Sequence, residues 1–343
     1  MTDWFQHLTG FAEDGYASTQ RRLSVEGDEL VSNVNGKRYG IGQLTLPTVA
    51  ELRGRVNPYR GQRSSGQRSS VQPLIGEARS LHSDPEFEGA LFQVASQFNV
   101  LEMTSQHVTP EDGVTRYAWD PTQGPACAVA AGAATIYRNY FALVGDQIGQ
   151  TADRQIDGLA GVGEALSGLT GLDVSRLWTM SNGYALCTRE GLAAIGSLLS
   201  DAPEEARDSL RGKLAIGLHR DVQVTDVEGD RRRLVSQAFC SALPLGYSPL
   251  SRRDWEPFAR LVLEATYEAT MLAAAEQAAA GGSHTVVLTR VGGGVFNNDP
   301  EWINAAIERA LGVVEYAGLD VRLLCHRVLS PEAQRIVERW DRR

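Results

Sequence analysis

Four segments of the chain hold residue types at spacings that suit chemistry. In Arg290-Val-Gly-Gly-Gly-Val-Phe-Asn-Asn-Asp299, three consecutive glycines follow an apolar run and precede a helix start. A backbone without Cβ atoms takes positive φ and approaches a ligand closely. Its N–H groups then converge on an anion, and the positive helix end adds to the attraction. Gly124, in Asp120-Pro-Thr-Gln-Gly-Pro-Ala-Cys-Ala128, opens a second helix in the same way. Two such loops facing each other suit a diphosphate. Neither fits GxxxxGK[ST] or GxGxxG, so the common nucleotide motifs are absent. A plain tight turn at Gly292–Gly294 uses the same residues.

The third segment, Ser96-Gln-Phe-Asn-Val-Leu-Glu102, leaves an apolar strand. There Phe98 could stack on a base and Asn99 bond a ribose, or the two could be a core aromatic and a turn residue. Phe296 is placed similarly. The fourth, His219 to Asp230, concentrates carboxylates. Asp221, Asp226 and Asp230 suit holding a ribose hydroxyl or activating water, although Glu228-Gly229-Asp230 also reads as a solvated turn. Asp120 is either a cap or a ligand-facing carboxylate. His219 has no second His nearby in sequence, so no metal site is expected. Cys240 lies mid-strand in apolar company and reads as a buried thiol.

Elements of known type must position these loops. Periodicity and caps predict strands at 90–97, 177–186, 214–224, 234–245, 285–290 and 319–324. They predict helices at 124–144, 188–199, 255–280, 299–311 and 331–342. Strands alternating with helices imply an α/β layered sheet covered on both faces, with ligands at the carboxyl ends of the strands. Residues 51–70 carry Arg53, Arg55, Arg60, Arg63 and Arg68 and the doubled unit GQRSSGQRSS, which reads as a loop or linker. Residues 1–80 are therefore expected as an N-terminal extension and 81–343 as the main domain.

Composition bounds the function. The 33 Lys+Arg against 42 Asp+Glu leave a net charge of −9, which argues against a nucleic-acid partner. The 43% apolar content excludes a disordered chain. The four Cys have no CxxC spacing and suggest reduced thiols. The opening MTDWFQHLTGFAEDGY lacks the order of a secretory leader. No stretch approaches the roughly 18 uncharged apolar residues of a membrane span. A cytoplasmic protein without membrane contact is expected.

The segments LFQVASQFNVLEM (91–103), TQGPACA (122–128), VSQAFCSALPLGYS (235–248) and VGGGVFNN (291–298) together resemble a divergent macrodomain-like group of ADP-ribosylhydrolases. One member of that group is a bacterial effector that removes ADP-ribose from ubiquitin. The resemblance spans roughly residues 80–330. It implies a three-layer α/β/α sandwich with a mixed central sheet and ADP-ribose lying across the strand ends. Phe98 and Asn99 would then serve the nucleoside side. Thr122, Gln123, Gly124 and the loop Gly292, Gly293, Gly294, Val295, Phe296, Asn297 and Asn298 would serve the diphosphate and distal ribose. Asp221 and Asp226, with Asp120 and Asp230 behind them, would act in catalysis. The usual macrodomain NAAN and GGGVAxAI strings are missing, as is the QEE pair of poly-ADP-ribose glycohydrolases, which argues against a polymeric substrate.

The leading expectation is a hydrolase that cleaves the N- or O-glycosidic bond between ADP-ribose and a protein side chain such as Arg. It would need no cofactor, and no spacing motif supports a metal site, although a carboxylate-bound divalent ion stays open; ADP-ribose would be the product and an ADP-ribosylated protein the partner. The alternatives are a non-catalytic ADP-ribose reader, or a partner-binding domain that uses the Arg-rich segment.

Overall fold

The computed structural model describes residues 3–60, 66–227 and 232–343. Seven strands form the central sheet. In chain order they are β1 (Gln43–Thr45), β2 (Ser70–Ile75), β3 (Leu91–Ala95), β4 (Gly217–Gln223), β5 (Leu234–Cys240), β6 (Thr285–Leu288) and β7 (Asp320–Cys325). Their spatial order is β1-β4-β5-β3-β6-β7-β2. Neighbours from β5 to β2 are parallel, whereas β4 runs antiparallel to both β5 and β1. The sheet is thus mixed, and helices cover both of its faces.

Alternation along the strands builds the two interfaces. Leu91, Leu218, Ala238, Val286 and Val321 pack with the long helix Arg252–Ala279 and the helices Val49–Arg60, Arg189–Asp201 and Pro300–Val313. On the other face, Phe92, Val235 and Val287 join Ala131 and Ala134, while Val94 and Phe239 join Ala78 and Cys127. Central strands buried on both sides explain the uninterrupted apolar runs in the sequence. All four Cys are buried free thiols.

Four elements differ from expectation, each for a physical reason. The single helix expected over 124–144 is two helices, Gln123–Ala130 and Gly132–Tyr140. Thr225 breaks them apart: its N–H donates to the Ala130 carbonyl, and its hydroxyl accepts from the Gly132 N–H at 2.9 Å. The strand expected over 177–186 is a separate hairpin, Trp178–Ser181 and Tyr184–Cys187. Asn182 and Gly183, with φ of 47° and 79°, form the turn between them, an Asn-Gly pair that favours this geometry. The long helix starts at Ser251, in a reciprocal capping box with Asp254, rather than at Asp254.

The fourth difference is the Arg-rich stretch. Residues 49–60 are helical, with Val49, Leu52 and Val56 buried. Arg53 is neutralised by Glu268 at 2.6 Å and Asp208 at 2.7 Å, partners more than 150 residues away in sequence. The Arg68 guanidinium lies over the Trp340 ring, 4.7 Å from its centroid. Residues 61–65, including Arg63, fall outside the described residues. Strands β1 and β2, both before residue 80, form the two edges of the main sheet.

Candidate functional site

Strands β5, β3 and β6 are parallel, so their carboxyl ends open on one edge. A cleft of about 220 Å³ lies there. It is lined by three loops, leaving β3 (Ala95–Gln97 and Glu102–Thr104), opening the helix at Gln123 (Asp120–Pro125) and leaving β6 (Thr289–Phe296), and by Tyr184 and Tyr247. Three of the expected loops, at 96–102, 120–128 and 290–299, therefore do meet, although Phe98 and Asn99 of the first stay out of the cleft.

In the loop after β6, Gly292 has φ +78°, and a Cβ there would stand 2.6 Å from the Ala242 side chain. Only glycine fits both restrictions. The Gly293 N–H donates to the Arg290 carbonyl at 3.0 Å and the Asn297 N–H to Gly294 at 2.9 Å, which fixes the turn. The N–H groups of Gly294, Val295 and Phe296 have no acceptor among the described residues. Asn298 is buried beneath the loop, with its amide 2.9 Å from the Leu243 carbonyl. Asn297 has its side-chain oxygen 3.0 Å from Arg252.

The facing helix start is pinned to the sheet. The Gln123 side chain accepts from the Ala95 N–H at 2.9 Å and donates to the Gln93 carbonyl at 2.9 Å. The backbones approach so closely that a Cβ on Gly124 would lie 1.9 Å from the Ala95 carbonyl oxygen. Both partners are backbone in regular elements, so neither can yield. Gly124→Ala is expected to cost about 1–3 kcal/mol or more. Gly294, with nothing within 4 Å of its Cβ position, should tolerate alanine. Thermal unfolding of the two variants side by side checks this contrast.

Thr122 leaves the helix N-terminus uncapped. Its hydroxyl donates instead to Asp120 Oδ1 at 2.6 Å, which also accepts the Thr122 N–H at 2.9 Å. Asp120 Oδ2 has no partner among the described residues, and Asp120 lines the cleft from a half-buried position.

One wall is aromatic. Tyr184 packs against Tyr247 and Phe296 at ring separations of 5.1 and 5.3 Å. Its hydroxyl donates to the Met103 carbonyl at 2.8 Å. Phe98 and Asn99 lie outside this lining. Phe98 is in the core cluster, and Asn99 is fully buried with its amide 2.8 Å from Gln155 Oε1.

At the floor of the cleft, which Glu102 helps to line, is an ion pair with both side chains covered from solvent: Glu102 to Arg138 at 3.1 Å. Arg138 also donates to the Val100 carbonyl and the Thr135 hydroxyl, each at 3.0 Å, and its guanidinium sits 3.8 Å from the Phe239 ring centroid. Burial pushes the Glu102 carboxyl up to about 7, against the opposing pull of Arg138. Between its ordinary 4.5 and 7, the folded protein keeps a proton that the unfolded chain has lost, so stability falls as pH rises through this window. Buried His82, pushed down to about 4, contributes the opposite slope between 4 and 6.5. Glu102→Gln should therefore gain stability relative to the wild type between pH 5 and pH 8. Denaturant titrations at the two pH values measure this difference.

The expected acidic loop lies elsewhere. Because β4 runs antiparallel, its carboxyl end pairs with the start of β5, at the sheet edge away from the cleft. Asp221 sits there, exposed at a bulge with φ +54°. Asp226 is paired with Arg79, 3.0 Å from its Nη2. The placement of Asp221 and Asp226 at the cleft is thus corrected, since the rule about carboxyl ends applies to the parallel strands. Asp230 lies outside the described residues. Of the expected carboxylates among the described residues, Asp120 is the one that the fold brings to the cleft.

Sequence reasoning missed Tyr184, Tyr247, Arg290 and the Glu102–Arg138 pair. The one legible signal is Arg138, the single charge between residues 123 and 144. Among the described residues no cluster of His, Cys, Asp and Glu could hold a metal ion. No helix there is long and apolar enough to cross a membrane.

No family model matches the chain, and no curated protein matches it either. Solved structures do. A poly(ADP-ribose) glycohydrolase from Deinococcus radiodurans in complex with ADP-ribose is similar over 87% of this chain and 93% of that one, at 12% identity and a TM-score of 0.43. The poly(ADP-ribose) glycohydrolase from Thermomonospora curvata covers 95% and 97%, at 12% identity and a TM-score of 0.42. Its complex with the inhibitor ADP-HPD covers the same shares, at 13% identity and a TM-score of 0.40.

Proposed function

We propose that this protein hydrolyses the glycosidic bond between ADP-ribose and a macromolecular side chain. One observation carries the reading: unpaired N–H groups at Gly294, Val295 and Phe296 and an uncapped helix start at Gly124 share a cleft with one accessible carboxylate, Asp120. The N–H groups suit a diphosphate, and backbone donors serve an anion well on a chain of net charge −9. The Tyr184–Tyr247–Phe296 wall suits the apolar faces of a nucleoside. The four segments that resemble macrodomain-like hydrolases point the same way.

In this reading Asp120 Oδ2 accepts a hydrogen bond from water or a ribose hydroxyl beside the anomeric carbon. Water adds there, the bond to the acceptor breaks, and a proton passes to the leaving side chain. Placement by fixed donors contributes much of the rate. Glu102, fully covered, holds the floor through Arg138 rather than touching substrate. Mono-ADP-ribosylated proteins, with arginine the first acceptor, are the proposed substrates.

The test is release of free ADP-ribose from proteins modified on Arg, Ser or acidic side chains. No release from any acceptor would sink the reading. A single accessible, half-buried cleft carboxylate also favours a second reading, a non-catalytic reader. Calorimetric binding of ADP-ribose without turnover would select it.

A further inference from the structure

We infer that Trp119 is the docking contact for the polypeptide that carries the ADP-ribose, an inference that rests on the reading of the cleft above. Trp119 is 80% exposed, the most exposed large apolar side chain among the described residues. Exposing an indole is costly, and a tryptophan is a favoured anchor in recognition. It directly precedes Asp120 in the chain, so its Cα stands about 3.8 Å from that of the cleft carboxylate. Val295, 64% exposed, faces solvent on the loop that lines the cleft from β6.

The backbone turn that presents the tryptophan is tied down. It ends a short 3-10 helix, Thr115–Trp119, whose Tyr117 is buried. The Glu13 carboxylate accepts the Val114 N–H at 2.9 Å and the Thr115 N–H at 2.7 Å. The same carboxylate takes the Tyr140 hydroxyl at 2.7 Å, and the Trp4 indole donates to the Thr115 carbonyl at 3.2 Å. Three contacts from distant elements thus hold the start of the turn, and Tyr140 holds Glu13 in place; backbone fixed beforehand loses little freedom on binding.

Position and charge choose the occupant. Diphosphate donors lie on the Gly292–Phe296 loop and at the helix start after Thr122, whereas Trp119 precedes Asp120, which marks the reacting end in this reading, so what extends past Asp120 toward Trp119 belongs to the acceptor. Exposed Glu111 and Asp112 precede the turn and disfavour a nucleic-acid backbone. A polypeptide, whose amide planes and apolar side chains pack on indole, fits.

The experiment compares full-length wild type and Trp119→Ala. The substrates are an ADP-ribosylated protein and ADP-ribose joined through the same linkage to a small amine or alcohol. Calorimetry with free ADP-ribose is run beside them. The variant should lose about tenfold or more in kcat/KM on the modified protein. It should keep wild-type turnover of the small conjugate and wild-type affinity for ADP-ribose. Equal loss on both substrates places Trp119 on the nucleotide, and no loss on the protein removes the contact; either overturns the inference. If the wild type turns over neither substrate, the hydrolase reading fails, and binding decides the docking contact. The wild type must then hold the modified protein more tightly than free ADP-ribose, and Trp119→Ala must erase that margin. Absence of the margin overturns the inference.

Discussion

Asp120→Asn is expected to slow ADP-ribose release by roughly 100- to 10,000-fold, the usual worth of a positioned acid–base group, while leaving ADP-ribose affinity close to wild type. The amide keeps an oxygen for the two bonds from Thr122, at 2.9 and 2.6 Å, so the turn survives. What disappears is the free acceptor at Oδ2, the atom proposed to orient water or the ribose hydroxyl. Asp221→Ala combined with Asp226→Ala should retain full rate, because those residues stand at the far edge of the sheet. Breaking the Arg79–Asp226 pair removes a largely surface ion pair, worth about 1 kcal/mol or less. Initial rates on one mono-ADP-ribosylated protein, with calorimetry on each variant, measure both halves. Undiminished release by Asp120→Asn removes the carboxylate from the mechanism. Loss of release in the double variant returns it to the acidic loop.

Arg138→Met carries the largest expected stability effect, a loss of about 3–5 kcal/mol at pH 8, as for other broken buried ion pairs. Methionine roughly fills the volume but leaves Glu102 without a countercharge in a fully covered site. It also strands the Val100 carbonyl, which loses its 3.0 Å donor. The loss should shrink toward pH 5. There Glu102, already pushed up to about 7 in the wild type, takes a proton and no longer needs the guanidinium. Adding Glu102→Gln to Arg138→Met should recover part of the stability at pH 8, since a neutral amide costs less to bury alone than a carboxylate. Denaturant unfolding of both single variants and the pair closes the cycle. Equal losses at the two pH values would show that the charge of Glu102 plays no part.

The pair also shows why part of the site was not legible in the chain. Glu102 and Arg138 are 36 residues apart and meet because a strand end and a helix pack against each other. Tyr184 reaches the cleft from a hairpin whose Asn-Gly turn was readable but whose docking on the Met103 carbonyl was not. The Arg-rich stretch misled because composition weighs Arg53 as a solvated charge. In the fold its partners, Asp208 and Glu268, come from two distant helices.

Local signals fared best. The glycines of the 290–299 loop, the caps at Thr188 and Asp299 and the apolar strand runs each depend on neighbours within a few residues. From such neighbours alone follow the alternation of strands and helices, the strands covered on both faces and the three loops that meet at one edge. Only the tertiary structure decided that β4 runs against its neighbours, that β1 and β2 close the sheet, and that Asp120 rather than Asp221 or Asp226 faces the cleft. Strand direction is set by long-range pairing, which leaves no periodic mark on the chain. A carboxylate at the end of a strand therefore says nothing of which sheet edge it will reach until its neighbours are in place.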